Sequence, residues 1–588
     1  MQPFHRGAAP FSLVRRRILI LSLCLCVLGA AAGCGPTPTP AATTTRESGD
    51  TGILNPPGTL PVVREPDTLR VFVSRQTLVS SYGYGENSFT TWLQDRTGVQ
   101  VEFLFPGGDP YYEFRTRLAS RGDLGDLVLL QQTYRDLVEY GAAGTLLPLE
   151  DLIATYGHHF LDMMDTFPST LPAITAPDGH IYAFPQGNLV GLNPGAYGMK
   201  MWIHAGFLER YGRGMPETTE EFADYLRWVR DADADGDGDP GDEVPWTGSD
   251  SREVGYARPT DFLMNAFTLQ DEDGYYVQDG VLHCAMVEDG WRRGLRWLRG
   301  LYAEDLFDVN YATNDLYGLR AVVASGGGDT VGSLSCGNIA TAALDPAIQA
   351  KYVSVPPLEG PDGLRYAYYD QYGAGMTPSK AMIPAGSARR ELAVAWMDAC
   401  CDQEVAVRAG LGEEGTDWAL PADGTPAADG GPAVYSLIRA QGAEETAQTW
   451  LGDSPALWDR TGALGAAARP AGTFDLIATL CDATRLYEPY AVPCAVPWIY
   501  LGDVVPEYDD WELSIEMETA NAAAEFIYGF RDIDSDKDWD TYLQMVRHAG
   551  LDEYMKIRQE SYDRCWKGTL PASYTPSPVR TAPGPGGR

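Results

Sequence analysis

Between Asp231 and Glu243, seven carboxylates fall within thirteen residues. Asp231, Asp233, Asp235, Asp237 and Asp239 alternate with Ala232, Ala234, Gly236 and Gly238, and the pair Asp242-Glu243 follows. Carboxylates this close repel one another unless a counter-ion sits among them. Ca2+ suits such a loop, because it takes about six to eight oxygen ligands and glycine permits the tight turn. One register starts at Asp231 and gives Asp231, Asp233, Asp235, Gly236, Asp237 and Asp242. That is close to an EF-hand loop, with Asp242 where a bidentate glutamate usually stands. The plainer alternative is a solvated acidic turn.

The rest of the chain offers weaker chemistry. It contains no HExxH, GxSxG or GxxxxGK[ST],. Gly326-Gly327-Gly328 lacks the lysine that phosphate binding requires. The adjacent His158-His159 are expected to point apart on a helix surface. Asp370 or Glu413-Glu414 would in principle serve a glycosidase, which flanks the scissile bond with two carboxylates. With 81 acidic residues, such pairs arise by chance. None of the cysteines beyond the N-terminal region has zinc-site spacing. Cys481 and Cys494 lie close enough in sequence to close a short loop. The net charge of −37 excludes a nucleic-acid partner, whose backbone it would repel,.

The elements that position these residues follow from periodicity. The length of 588 residues implies two or three structural units,. Leu69–Val73 and Val99–Phe103 alternate as strands, and Leu127–Leu130 is a continuous apolar run suited to a strand buried on both faces. Helical patterns at 89–94 and 137–140 separate them, so a parallel sheet with crossover helices is expected. Ahead of the acidic loop, Thr218 and Glu221 have capping-box spacing, and Phe222, Tyr225, Leu226 and Val229 share one helix face. Leu392, Ala395, Trp396 and Ala399 form a second core stripe, and Trp539, Tyr542, Leu543 and Val546 a third.

At the N-terminus, Arg15-Arg16-Arg17 precede the apolar run Ile18–Leu28, then small residues to Gly33, then Cys34. This is the pattern of a secretory leader, too short for a membrane span. Ala31-Ala32-Gly33-Cys34 resembles a bacterial lipobox, with Ala31 where leucine is usual. It implies acylation of Cys34 and a lipid anchor on the outer face of the cell membrane. The Pro/Thr/Ala-rich stretch after Cys34 reads as a tether, and the Pro/Gly-rich end as a disordered tail.

Asp178-Gly179-His180-Ile181-Tyr182-Ala183-Phe184-Pro185 resembles a segment of the family 1 extracellular solute-binding proteins. The likeness is to the long Gram-positive lipoprotein branch related to alginate-binding proteins. Further matching segments come in the family's order: 201–208, 216–222, 233–245, 391–418, 526–529 and 539–564. The resemblance implies an α/β, periplasmic-binding-protein-like (type II) fold, with two lobes and a ligand cleft at the hinge. It implies a leader over 1–33, a tether over 34–66, lobe 1 over 67–190 and 371–480, lobe 2 over 191–370 and 481–570, and a tail over 571–588. The interlobe crossings fall near Gln186–Tyr197 and Tyr369–Gly375.

The family's calcium loop implies the second register: Asp233, Asp235, Asp237, the Asp239 carbonyl and the Asp242-Glu243 pair. Val244-Pro245-Trp246 matches the residues next to that loop in the family, so this register is preferred. The implied function is capture of an oligosaccharide or related carbohydrate for ABC-transporter permease subunits, by a monomer that performs no chemistry. Sugars present apolar faces and many hydroxyls, so aromatic planes beside amides and charged groups suit them. Candidate ligand residues on the implied cleft loops are Tyr82, Tyr84, Gln131, Gln132, Trp202, Trp246, Arg252, Tyr369, Tyr372, Trp418 and Trp458. The competing readings are an extracellular carbohydrate-active enzyme and a solute- or peptide-sensing lipoprotein.

Overall fold

The computed structural model describes residues 52–74, 85, 87–166, 170–176, 178–187, 197–251, 254–308, 310–369, 376–438, 465–469, 474–496 and 507–565. In chain order the strands are β1 (Asp67–Val73), β2 (Val99–Leu104), β3 (Leu127–Leu129), β4 (Ala183–Gly187), β5 (Met201–His204), β6 (Val244–Thr247), β7 (Tyr275–Gln278) and β8 (Val281–Cys284). They continue with β9 (Val331–Ser335), β10 (Tyr352–Val355), β11 (Ala367–Tyr369), β12 (Met376–Met382), β13 (Trp418–Ala419), β14 (Tyr435–Leu437), β15 (Ala467–Ala468) and β16 (Ala491–Pro493).

Lobe 1 is built on a five-stranded sheet in the order β2-β1-β3-β12-β4. β1 pairs in parallel with β2 and β3, as the strand–helix alternation requires. β12 enters antiparallel between β3 and β4. Both faces are covered. Leu69, Val71 and Val73 pack with Leu392 and Trp396 of the helix Arg390–Ala399. Phe72 points the other way, onto Phe114 and Leu118 of the helix Pro110–Ser120.

Lobe 2 has a four-stranded sheet in the order β10-β5-β9-β6. Only β6 and β9 run parallel; β5 is antiparallel to both of its neighbours. The expected parallel sheet is therefore limited to one pair here. Met201 and Ile203 face a large core shared with Phe222, Tyr225, Leu226 and Val229, and with the C-terminal helices Tyr508–Tyr528, Asp536–His548 and Leu551–Cys565. The helix Leu476–Tyr487 packs on the other face through Leu480 and Ala483, beside Trp202. Its Tyr487 hydroxyl donates to the Val355 carbonyl at 2.8 Å.

Two local expectations are corrected. The tether was expected to reach residue 66, but residues 52–66 form a loop docked on lobe 1. Val62 N–H donates to Thr97 O at 2.7 Å and Arg64 N–H to Ile53 O at 2.9 Å. Val62 and Val63 are the cause, since both are buried in the lobe 1 core and burying that apolar pair offsets the entropy of ordering the loop,. Cys481 and Cys494 are free and buried, in separate surroundings. Among the described residues no helix is long and apolar enough to cross a membrane.

Candidate functional site

Strand direction determines which loops meet. β4 ends at Gly187 directly opposite Met376, the first residue of β12. These are the lobe 1 ends of the two crossings. On the lobe 2 side, the Tyr197 and Tyr369 rings lie 5.7 Å apart. The chain thus leaves lobe 1 and returns to it at one place, and enters lobe 2 and leaves it at one place. The C-terminal ends of β1 and β3 share the first edge, and those of the parallel pair β6 and β9 share the second. In open α/β folds this is where ligands bind.

From lobe 1, Gln131 and Gln132 follow β3. Gln132 is buried, and its backbone N–H donates to Ser379 Oγ of β12 at 3.2 Å while that hydroxyl donates back to its carbonyl. The Gln132 side-chain amide is turned onto the Gln131 carbonyl at 3.0 Å. Gln131 is exposed at the edge. Tyr82, Tyr84, Arg252, Tyr372 and Trp458 lie outside the described residues, as does Cys34.

From lobe 2, the segment Gly248–Arg258 follows β6. Ser249 is buried, with its N–H on Ala257 O at 3.0 Å and its hydroxyl on Asn314 O at 2.5 Å. Trp202 and Trp246 lie beneath this segment rather than in the cleft, and both are fully buried. Trp202 Nε1 donates to Cys336 O at 2.9 Å and its indole packs with Val254 and Ala257. Trp246 Nε1 donates to Ser335 Oγ at 3.2 Å, with Phe307 at 4.6 Å between ring centroids. The expected ligand role of these two indoles gives way to packing: β5, with Trp202, is buried on both faces, and so are Pro245, Trp246 and Thr247 of β6. Gly248 rests on the Trp246 ring, and a Cβ there would approach Ala257 O to 2.3 Å. Gly248→Ala is therefore expected to cost about 1–3 kcal/mol by overpacking and to shift the loop above it. A thermal-unfolding curve with paired ligand titration reads both effects.

Tyr369 is half-buried, packed beside Tyr197 at the crossing. Trp418 lies apart, in the small β13-β14-β15 sheet, with its Nε1 on Gly412 O at 3.2 Å and Tyr435 edge-on at 5.2 Å. Four residues that the sequence reasoning missed stand at the lobe 2 edge: Asp250, Tyr256, Arg258 and Glu272. The signal for Asp250, Tyr256 and Arg258 was position, in the loop that follows a strand paired in parallel; Glu272 is brought there by Tyr256 and Arg258.

The acidic loop joins the helix Thr219–Asp231 to β6. The capping box at Thr218 and Glu221 is present, and the helix ends at Asp231. Asp231 turns away to pair with Arg230 at 2.7 Å, and that guanidinium holds its carboxyl below the usual range. From Asp233 onward the loop coils on itself. Gly236 and Gly238 donate to the two Asp233 oxygens at 2.8 and 3.1 Å, and both glycines sit at positive φ. Glu243 reaches back so that Oε1 accepts from Ala234 N–H at 2.5 Å.

Asp233, Asp235 and Glu243 bring carboxylate oxygens within 4.8 Å of one another, as do Asp235, Asp237 and Asp242. The second Glu243 oxygen, Oε2, is buried with no hydrogen-bond partner. A buried carboxylate oxygen left bare beside other carboxylates is costly, and a hard cation would remove that cost. The residues present therefore fit a calcium ion. Desolvation raises the Asp242 pKa, and Asp237, Asp235 and Asp239 push it in the same direction.

No family model matches the chain. Over 529 residues it is 25% identical to the fructooligosaccharide ABC transporter substrate-binding protein FusA of Streptococcus pneumoniae serotype 4, covering 85% of this chain and 91% of that one. The solved structure of a FusA EF-hand mutant in complex with fructo-nystose gives a TM-score of 0.65 at 21% identity, covering 84% of this chain and 99% of that one. An HMO-binding, ABC-transporter-associated solute-binding protein from Bifidobacterium longum infantis gives 0.69 at 18% identity, over 85% and 99% of the two chains. The alginate-binding protein AlgQ2, solved without calcium ion, gives 0.59 at 17% identity, over 85% and 99%. These likenesses show a shared two-lobed fold.

Proposed function

We propose that the chain is a family 1 extracellular solute-binding protein, like the ABC-transporter substrate-binding proteins it is similar to, and that it captures an oligosaccharide outside the cell and hands it on unchanged for import. The observation that carries this reading is that both crossings gather on each lobe, at Gly187–Met376 where β1 and β3 end and at Tyr197–Tyr369 beside the ends of β6 and β9. Those edges present Gln131 from one side and Tyr256, Arg258, Asp250 and Glu272 from the other, beside Tyr369. Amides, carboxylates and aromatic planes together suit a hydroxyl-rich ligand. Closure of the two lobes would surround the sugar, and binding energy would come from pairing its hydroxyls as water leaves.

On this reading the protein acts as a monomer beside its permease, held by an acyl chain on Cys34. Asp233, Asp235, Asp237, Asp242 and Glu243, with the Asp239 carbonyl, would hold a structural Ca2+. The ion would supply charge neutralisation and tie the helix end at Asp231 to β6, on which the cleft loop depends. The test is calorimetry and thermal shift against fructo-oligosaccharides and milk oligosaccharides, with the sugar recovered and chromatographed afterwards. Saturable binding of intact sugar is expected, with about 2.7 kcal/mol of stabilisation at a hundredfold excess over Kd. Cleaved sugar would establish an enzyme instead, and no response to any glycan would remove the carbohydrate assignment.

A further inference from the structure

The helix Ala205–Tyr211 brings a cation to the acidic loop from outside it. Its first turn is fixed: the His204 side chain accepts from Phe207 N–H at 3.2 Å, and Phe207 is buried in the core that holds Leu226 and Val229. Arg210 lies in its last turn and reaches across to the loop. Arg210 Nη1 donates to the Ala234 carbonyl. The guanidinium also lies against Gly236, where an added Cβ would meet Nη1 at 3.2 Å and Nη2 at 3.4 Å. Gly236 stands at φ 81°, so backbone and guanidinium both exclude a side chain there,.

Ala234 is the point on which the loop turns. It is fully buried, its N–H donates to Glu243 Oε1 at 2.5 Å, and its carbonyl is held by Arg210. The residues on either side of it, Asp233 and Asp235, belong to the carboxylate groups that close on one another. Arg210 thus stands beside those carboxylates, yet among the described residues it bonds the Ala234 carbonyl and no carboxylate. The other guanidiniums of this region are taken up. Arg230 is held by Asp231 at 2.7 Å and by the Glu304 carbonyl at 2.7 Å, and Arg213 lies 3.8 Å from Asp224. Arg210 is therefore the cation whose charge is left to act on Asp233, Asp235, Asp237, Asp239, Asp242 and Glu243 together.

We propose that Arg210 is a built-in counter-ion of this loop: it steadies the carboxylates when calcium is scarce and sets the calcium affinity lower than the carboxylates alone would give. The inference rests on the calcium reading above. Arg210 acts here as a positioning residue and not as a ligand. Its attraction falls only as the inverse of distance, so it is shared among carboxylates that it does not touch. Once calcium supplies the neutralisation, the same guanidinium faces a like charge. At the dielectric of a protein surface, such a contact is worth roughly a tenfold change in an equilibrium constant, and salt screens it.

The experiment compares the unaltered protein with Arg210→Met and Arg210→Lys. Calcium affinity is read by calorimetry after chelator treatment, and thermal midpoints are read in calcium and in chelator. Arg210→Met should bind calcium roughly tenfold more tightly at low salt. Its midpoint in chelator should fall by more than its midpoint in calcium. Arg210→Lys keeps the charge and should stay close to the unaltered affinity. At about 1 M salt, where the Debye length is about 3 Å, the difference made by methionine should close. Should Arg210→Met fail to fold, Arg210→Gln keeps a donor for Ala234, loses the charge and gives the same comparison. Equal falls of both midpoints with unchanged calcium affinity overturn the inference, and so does weaker calcium binding by the neutral variants. An unaltered protein that binds no calcium is a separate result, which removes the calcium site and this inference together.

Discussion

Chelating calcium is expected to lower the unfolding temperature by on the order of ten degrees, and returning calcium should restore it. At millimolar calcium and a micromolar Kd, linkage gives the folded state about 4 kcal/mol. For a lobe of this size each kcal/mol moves the midpoint by about 2–4 °C. The loop explains why the effect should be large. Glu243 Oε2 is buried and unbonded, and the oxygens of Asp235 belong to both carboxylate groups that close on one another. Asp235→Asn should thus abolish most of the response to chelator, whereas Asp231→Asn should leave it intact, because Asp231 is occupied by Arg230.

The pH dependence has a definite sign. The Asp242 pKa is raised in the fold from 3.8, so that group's contribution is present at acid pH and is lost as pH rises through the folded value,. The gap between calcium-loaded and chelated protein should therefore widen on going up from about pH 4. Identical midpoints with and without chelator, across that range, would show the loop to be only a solvated acidic turn.

What the chain reveals about itself differs from element to element. The helix Thr219–Asp231 was legible in full, because a capping box and an apolar stripe of 3.6 period agree with each other. β1, β2 and β3 were legible from alternation and a continuous apolar run, but the antiparallel β12 between β3 and β4 was not. The calcium register was not settled by spacing alone. Asp231 and Asp233 stand in equivalent alternation; in the fold Arg230 captures Asp231, while Asp233 closes on Asp235 and Glu243.

The cleft was misread at Trp202 and Trp246. Both indoles lie in the right stretch of chain, but each sits on a four-residue strand in the middle of packed layers. In a strand covered on both faces, alternation does not say which side is solvent. Asp250, Tyr256 and Glu272 escaped notice because their setting depends on pairing between strands distant in sequence. The parallel register of Thr247 with Leu334 makes the loop after β6 an edge loop, and nothing local encodes that partner.

That difference between wall and floor carries the second large effect. Trp246→Ala is expected to destabilise lobe 2 by about 3–5 kcal/mol, a fall of roughly ten degrees in its transition. The indole is fully buried, packs on Phe307 and Tyr311, and donates to Ser335 Oγ, so truncation leaves a cavity and removes that donor. Ligand affinity should fall as well, measured well below the midpoint, because Gly248 rests on the ring and the segment bearing Asp250 and Tyr256 continues from it. Trp246→Phe fills most of the space and loses mainly the hydrogen bond, so it should cost about 1–2 kcal/mol and leave affinity nearly unchanged. A ligand-stacking residue would behave in the opposite way: alanine there would erase binding while the midpoint held. Scanning calorimetry of both variants, each with a kestose titration, separates the two roles, and an unshifted midpoint in Trp246→Ala would return the indole to the cleft.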